Sequence, residues 1–109
     1  MLLATPDQIQ QYTARGWWDS ETITDLFLRN VHQNPDATAL VDPANRTEFT
    51  NGHFTRLTYN DLLTTVDRLA AGLVRLGVGK DDIVMVQLPN IVELVEVYLA
   101  VARIGAIIS

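Results

Sequence analysis

Apolar residues recur at helical spacing in four places along this chain and run together in short stretches between them. The clearest periodic segment follows Thr58, where Leu62, Val66, Leu69, Leu73 and Leu76 step by 4, 3, 4 and 3 positions and so share one helix face. Thr58 is placed as its N-cap, Asp61 as the acid that reaches back, and Gly77 as the residue that ends it. Upstream, Ile23, Leu26, Phe27 and Val31 form a stripe behind Thr22, closed before Pro35 because a residue preceding proline is pushed out of the α region. Thr5-Pro6-Asp7-Gln8 opens a first helix that stops near Gly16, and Trp17-Trp18 are expected to seat this lead on something apolar. Pro89-Asn90 opens the last helix, from about Ile91 to Arg103, with Asn90 as its side-chain cap and Gly105 at its end. That helix is apolar nearly all round and needs cover on more than one side.

Ala37 to Val41, Ile83 to Leu88 and the residues from Ala106 read as strands. Residues 42–53 are a polar excursion with turns at Asp42-Pro43 and Asn51-Gly52, and the weak alternation of Thr47–Thr50 and Phe54–Leu57 predicts a hairpin there. Strand–helix–strand–helix–strand order predicts an α/β fold: a partial, doubly wound, largely parallel sheet with flanking helices, preceded by two N-terminal helices. Residues 1–35 form the helical lead and residues 36–109 the first α/β units. The chain stops inside a predicted strand and lacks cover for its last helix, which reads as a fragment. An uncovered apolar helix and an open strand edge predict self-association as a dimer.

Composition narrows the partners. The 109 residues are 48% hydrophobic and contain no cysteine, which excludes a disulfide scaffold, a thiol nucleophile and a Cys-type zinc site. Eight Lys+Arg against thirteen Asp+Glu give a net charge of -5 with no basic run, which argues against nucleic acid and for a soluble, cytoplasmic protein. The opening Met1-Leu2-Leu3-Ala4-Thr5-Pro6-Asp7 lacks the pattern of a secretory signal. Between Ile91 and Ile108, Glu93, Glu96 and Arg103 would each cost about 2.5–3.5 kcal/mol in a membrane, so a helix and strand are expected there rather than a span.

The residues offer little chemistry. Ser20 and Ser109 sit in no nucleophile elbow, and His32, near a helix C-terminus, and His53, after a turn, are read as surface residues. Asp81-Asp82 are adjacent in a turn and diverge; Glu93 and Glu96 are read as the polar stripe of the last helix, and Asp61 and Asp67 as capping and surface residues. Gly77-Val78-Gly79 lies between a helix end and a strand, the reverse of the order a phosphate loop needs. Leu88-Pro89-Asn90 has the right order but neither glycine nor lysine, a weak anion site. No catalytic, cofactor-binding or metal residue is therefore assigned.

Three stretches together resemble the start of the AMP-forming acyl/aryl acid ligases, the adenylate-forming superfamily that includes acyl-CoA synthetases. They are Asp36-Ala37-Thr38-Ala39-Leu40-Val41-Asp42; Leu57-Thr58-Tyr59-Asn60-Asp61-Leu62 running on through Leu69-Ala70-Ala71-Gly72-Leu73 and Leu76-Gly77-Val78; and Asp82-Ile83-Val84 through Leu88-Pro89-Asn90 to Gly105-Ala106. The lead from Tyr12 to Trp18 looks like the subgroup acting on aryl or cyclic acids. The resemblance implies an N-terminal portion of an ATP-dependent carboxylic acid–CoA ligase of fatty or aryl acid metabolism, which with ATP, Mg²⁺ and coenzyme A makes an acyl-adenylate and then a thioester. It further implies that the family's catalytic and ATP-handling residues come later, so this portion is expected to be inactive alone. Two alternatives stand beside it: an aryl-acid adenylating enzyme that loads a carrier protein, and a small non-enzymatic α/β interaction module.

Overall fold

The computed structural model describes residues 4–109, so Met1 to Leu3 of the opening segment lie outside the described residues. Nine elements follow in the order α1 (Pro6–Ala14), α2 (Ile23–Gln33), β1 (Thr38–Val41), α3 (Arg46–Phe49), β2 (Arg56–Thr58), α4 (Tyr59–Arg75), β3 (Ile83–Val84), α5 (Val92–Arg103) and β4 (Ile107–Ile108). Capping boxes start three of the helices, at Thr5/Gln8, Thr22/Asp25 and Thr58/Asp61. At the last, Asp61 N donates to Thr58 Oγ1 at 3.1 Å and Thr58 N donates to Asp61 Oδ2 at 3.0 Å, satisfying two of the otherwise free amides of the first turn. Gly77 and Gly105 take up positive φ just beyond α4 and α5.

The core is helical. Phe27 and Val31 of α2, Leu62, Val66 and Ala70 of α4 and Ala100 of α5 are buried against one another. The stripe expected on α4 is only partly internal: Leu62 and Val66 are 2% and 0% exposed, Leu69 and Leu73 are half-buried, and Leu76 is 83% exposed. A 3.5-residue repeat rotates against a 3.6-residue helix by about 20° per heptad, so the end of the stripe leaves the contact. α5 is better covered than its sequence suggests. Val92, Ala100 and Val101 are buried, and only Tyr98 among its large apolar residues is strongly exposed.

Two small sheets replace the single, largely parallel one expected. β1 and β2 pair antiparallel, with Leu40 opposite Leu57 and Val41 opposite Arg56; β3 and β4 pair parallel through the α5 crossover, Ile83 opposite Ile107. The expected 47–50/54–57 hairpin does not form. β2 turns to β1 instead, and residues 46–49 make the short helix α3. Asp42 N donates to Thr55 O at 2.9 Å and closes the excursion at its neck, so the segment between has no strand partner and coils on itself. The strand expected from Ile83 to Leu88 is also shorter. Its ladder covers Ile83–Val84 and continues as one bond from Val86 N to Ser109 O, 2.8 Å.

Trp17 and Trp18 do not anchor the lead on the core; they are 64% and 44% exposed, and α1 buries no residue. Both rings pack on Tyr12, with centroids 5.6 and 5.1 Å away, and the Arg15 guanidinium lies 4.9 Å from the Trp17 ring centre. No helix among the described residues is long and apolar enough to cross a membrane.

The burial gradient along α4 orders the cost of truncation. Leu62→Ala should lower unfolding free energy by about 2–5 kcal/mol, as cavity-forming changes do. Leu76→Ala, at a site 83% exposed, should change it by less than about 0.5 kcal/mol. Urea titrations of the two variants check the ranking, and equal losses would refute this placement of the core.

Candidate functional site

Among the described residues, buried charge is concentrated where β1, the excursion and α5 meet. Asp42, directly after β1, is 4% exposed, and Arg46, at the start of α3, is 4% exposed. One oxygen of Asp42, Oδ1, accepts from Val92 N at 3.0 Å; the other, Oδ2, accepts from Thr55 N at 2.8 Å. Arg46 Nη1 donates to the same Oδ2, and Arg46 Nη2 donates to Glu93 Oε1 in the first turn of α5. The backbone of Gly52 passes so close to the guanidinium that any side chain there would collide with it. Glu96, one turn along α5, is 8% exposed beside this group.

Burial works against ionisation of Asp42, but the hydrogen bonds from Arg46, Val92 and Thr55 outweigh it and hold the carboxyl below the usual range. The bond to Glu93, then that to Asp42, strengthens the hold of Arg46 on its proton. Glu96 moves the other way: burial first, then the neighbouring Glu93 charge, push its carboxyl up. The result is an anion–cation–anion chain in which both oxygens of Asp42 accept from the protein's own donors, while Arg46 Nε and Glu93 Oε2 are buried without a hydrogen-bond partner. It contains no nucleophile, and its chemistry is that of a latch.

Ser20 and Ser109 are exposed, and neither joins the cluster. Asn90 is not the cap of α5; the N-cap position is Ile91, which makes no side-chain cap bond, and Asp42 supplies the missing acceptor from fifty residues away. The anion position suspected at Leu88-Pro89-Asn90 is therefore taken by the chain's own carboxylate. Glu93 and Glu96, read as the polar stripe of the last helix, sit at this cluster: Glu93 bonds Arg46 with its side chain 42% exposed, and Glu96 is buried. Asp61 caps α4, while Asp67 accepts from Arg103 Nε at 2.8 Å and ties α4 to α5. Asp82 Oδ2 accepts from Gly79 N at 2.8 Å, so the Gly77-Val78-Gly79 turn is closed internally. Asp81 lies 3.7 Å from Lys80, and His32 and His53 are exposed. Among the described residues no group of three or more His, Cys, Asp or Glu is placed to hold a metal ion.

The cluster sets the pH response. A carboxyl held low in the native state, as Asp42 is, contributes stability above its unfolded pKa and loses it as pH falls through the native value. Asp25 and Asp61, lowered by their caps, act in the same direction. Glu96, held high, acts oppositely: its contribution is complete below the ordinary glutamate range and fades as pH rises through its native value. Asp42→Asn leaves Thr55 N–H or Arg46 facing an amide and should destabilise at neutral pH by about 1–3 kcal/mol. Glu96→Gln should flatten the decline on the alkaline side of the glutamate range. Thermal unfolding from pH 3 to 8 reads both effects, and an unchanged profile in either variant would overturn the corresponding assignment.

Known proteins resemble this chain in both sequence and fold. The profile of the AMP-binding enzyme family matches residues 27–109. The chain is 39% identical over 103 residues to the 2,3-dihydroxybenzoate-AMP ligase of Bacillus subtilis, an alignment that takes in 94% of this chain and 17% of that enzyme. It is 32% identical over 103 residues to the 2-hydroxy-7-methoxy-5-methyl-1-naphthoate–CoA ligase of Streptomyces carzinostaticus, again 94% of this chain and 17% of the relative. In three dimensions it superposes on the N-terminal subdomain of Klebsiella oxytoca NpsA in complex with 3-hydroxyanthranilyl-AMSN, with a TM-score of 0.70, 26% identity, and coverage of 84% of this chain and 21% of that one. The chain thus spans about a sixth of the length of the curated relatives it matches, and with three quarters of its own residues under the profile it belongs to the AMP-binding enzyme family.

Proposed function

We propose that this chain is the opening segment of an ATP-dependent ligase for an aryl carboxylic acid, and that it serves that enzyme as scaffold. The carrying observation is the 39% identity to an aryl-acid AMP ligase across 94% of this chain. In the reaction proposed for the whole enzyme, the carboxylate attacks ATP to give acyl-adenylate and pyrophosphate, with Mg²⁺ assisting. A thiol then takes the acyl group and AMP leaves. Coenzyme A is the first reading for the thiol, in line with the naphthoate–CoA ligase relative; a carrier protein is the second.

The residues here do not fit a nucleotide. Among the described residues, the start of α5 has the strand–turn–helix order that suits phosphate, and Asp42 already fills it. No residue of the chain is assigned to ATP, Mg²⁺ or coenzyme A. Its proposed part is to fix the β3–α5–β4 unit, from which a doubly wound parallel sheet extends in the whole enzyme, a soluble cytoplasmic protein. Ile83 and Met85, 62% and 83% exposed along β3 and the residues after it, are the apolar surface through which the isolated chain is proposed to pair with itself.

Two measurements test this. The whole gene product should exchange pyrophosphate into ATP with hydroxylated benzoates and not with long-chain fatty acids, whereas the 109-residue chain should neither exchange nor bind ATP. Fatty-acid preference would overturn the aryl reading, and a micromolar ATP site on the chain would overturn the scaffold role. Sedimentation at tens of micromolar should show a dimer; a monomer of 12.2 kDa would dismiss the pairing.

A further inference from the structure

The outer side of α4 combines an apolar line with two arginines. Thr65, Leu69, Gly72 and Leu76 follow one another at intervals of 4, 3 and 4 residues, while Arg68 and Arg75 run beside them seven positions apart. Two adjoining hollows of about 510 and 400 Å³ lie along this surface, and Arg68, Leu69 and Arg75 line both. Gly72 lines the second of them, and a Cβ there would meet only the Arg75 guanidinium, at 4.0 Å. Such a line with a small residue at its middle lets a second helix approach closely and seat its apolar residues.

The charges select what that helix carries. Arg29, Arg46 and Arg103 each reach a carboxylate of this chain, and Arg15 lies over Trp17. Among the described residues Arg68 and Arg75 meet no carboxylate, in a chain with thirteen acidic residues to eight basic ones. Seven residues of helix span about 10 Å, the separation of two carboxylates at i and i+7 on a facing helix. A second copy fits badly: two α4 helices crossing antiparallel at Gly72 would bring Arg68 beside the other copy's Arg75, like charge against like. Nucleic acid fits badly as well, since two cations beside a leucine floor make no phosphate-tracking stripe.

We propose that the Arg68–Arg75 face of α4 is a docking groove for an acidic, amphipathic helix of another protein. The partner's apolar stripe covers Leu69 and Leu76, and two of its carboxylates receive the guanidinium forks. Because the ion pairs lie at the rim, they govern which helix is accepted and how fast more than how tightly it is held.

The test uses the chain and a fluorescein-labelled synthetic helix of about 16 residues with a leucine stripe and two glutamates seven positions apart, together with a twin carrying lysines there. Anisotropy titrations should show the acidic helix binding at least about tenfold more tightly than its twin, with the preference fading as salt is raised. Arg68→Glu with Arg75→Glu should reverse the preference, a gain of binding by the lysine helix that misfolding does not produce. Equal binding of the two helices, no binding of either, or an unreversed preference would each overturn the proposal. So would a dimer that the double substitution disperses, which assigns the face to a second copy. Binding that the chain shows and the whole enzyme lacks would assign the groove to the enzyme's own later residues and equally overturn it.

Discussion

A single carboxylate at the end of β1 decides how the two halves of this structure meet. Asp42 accepts from Val92 N at the start of α5, from Thr55 N at the neck of the excursion, and from the Arg46 guanidinium. A helix start leaves amide donors without partners, and α5 brings no side-chain cap of its own. Filling that place with an anion satisfies a donor and meets the positive end of the helix dipole together. Burying the anion would be costly alone, so Arg46 follows it inside, and Glu93 balances Arg46 from the helix being capped. The three groups form a closed loop of causes: the cap needs the anion, the anion needs the cation, and the cation returns to the capped helix.

The rest of the fold hangs on that junction. With the 42/55 neck closed, β2 lies against β1 and delivers Thr58 to the start of α4. α4 then lays Leu62, Val66 and Ala70 against α2 and α5, and the Arg103–Asp67 bond ties the far end of the same helix pair. α5 returns the chain through Gly105, whose positive φ and the close packing of Lys80 leave little room for a side chain, into β4 beside β3. Local signals start the helices. The long-range ion pairs and the helical core set their relative places.

What could be read from sequence divides along the same line. The starts and ends of α1, α2 and α4 were legible because their signals lie within four residues, in Thr5, Thr22 and Thr58 at the starts, in Gly16 and Gly77 after α1 and α4, and in Pro35 after α2. The 47–50 hairpin failed because weak alternation carries no information on which strand a segment will pair with; β1 won β2, and the excursion coiled. Asn90 was the local choice for capping α5 and lost to a residue fifty positions away, a relation with no trace in spacing. Asp42-Pro43 read as a turn, and Arg46 as one more polar residue in a polar stretch. The one available hint was an acid directly behind an apolar strand, and that alone does not name its partner. The family, by contrast, was legible, because three ordinary stretches in a fixed order are together far more specific than any of them alone.

The latch also explains why so charged a cluster in a ligase family member has the marks of architecture rather than catalysis. A catalytic carboxylate keeps an acceptor free for substrate or proton, and a phosphate-binding helix start keeps its amides free. Asp42 keeps neither, since both its oxygens are committed to groups of the same chain. Its low protonation tendency serves the fold: an anion that stays ionised through the neutral range keeps α5 capped across that range. Glu96 is pushed the other way, by burial first and then by Glu93. With both oxygens of its central carboxylate committed to groups of the same chain, the junction offers rigidity to the elements built upon it.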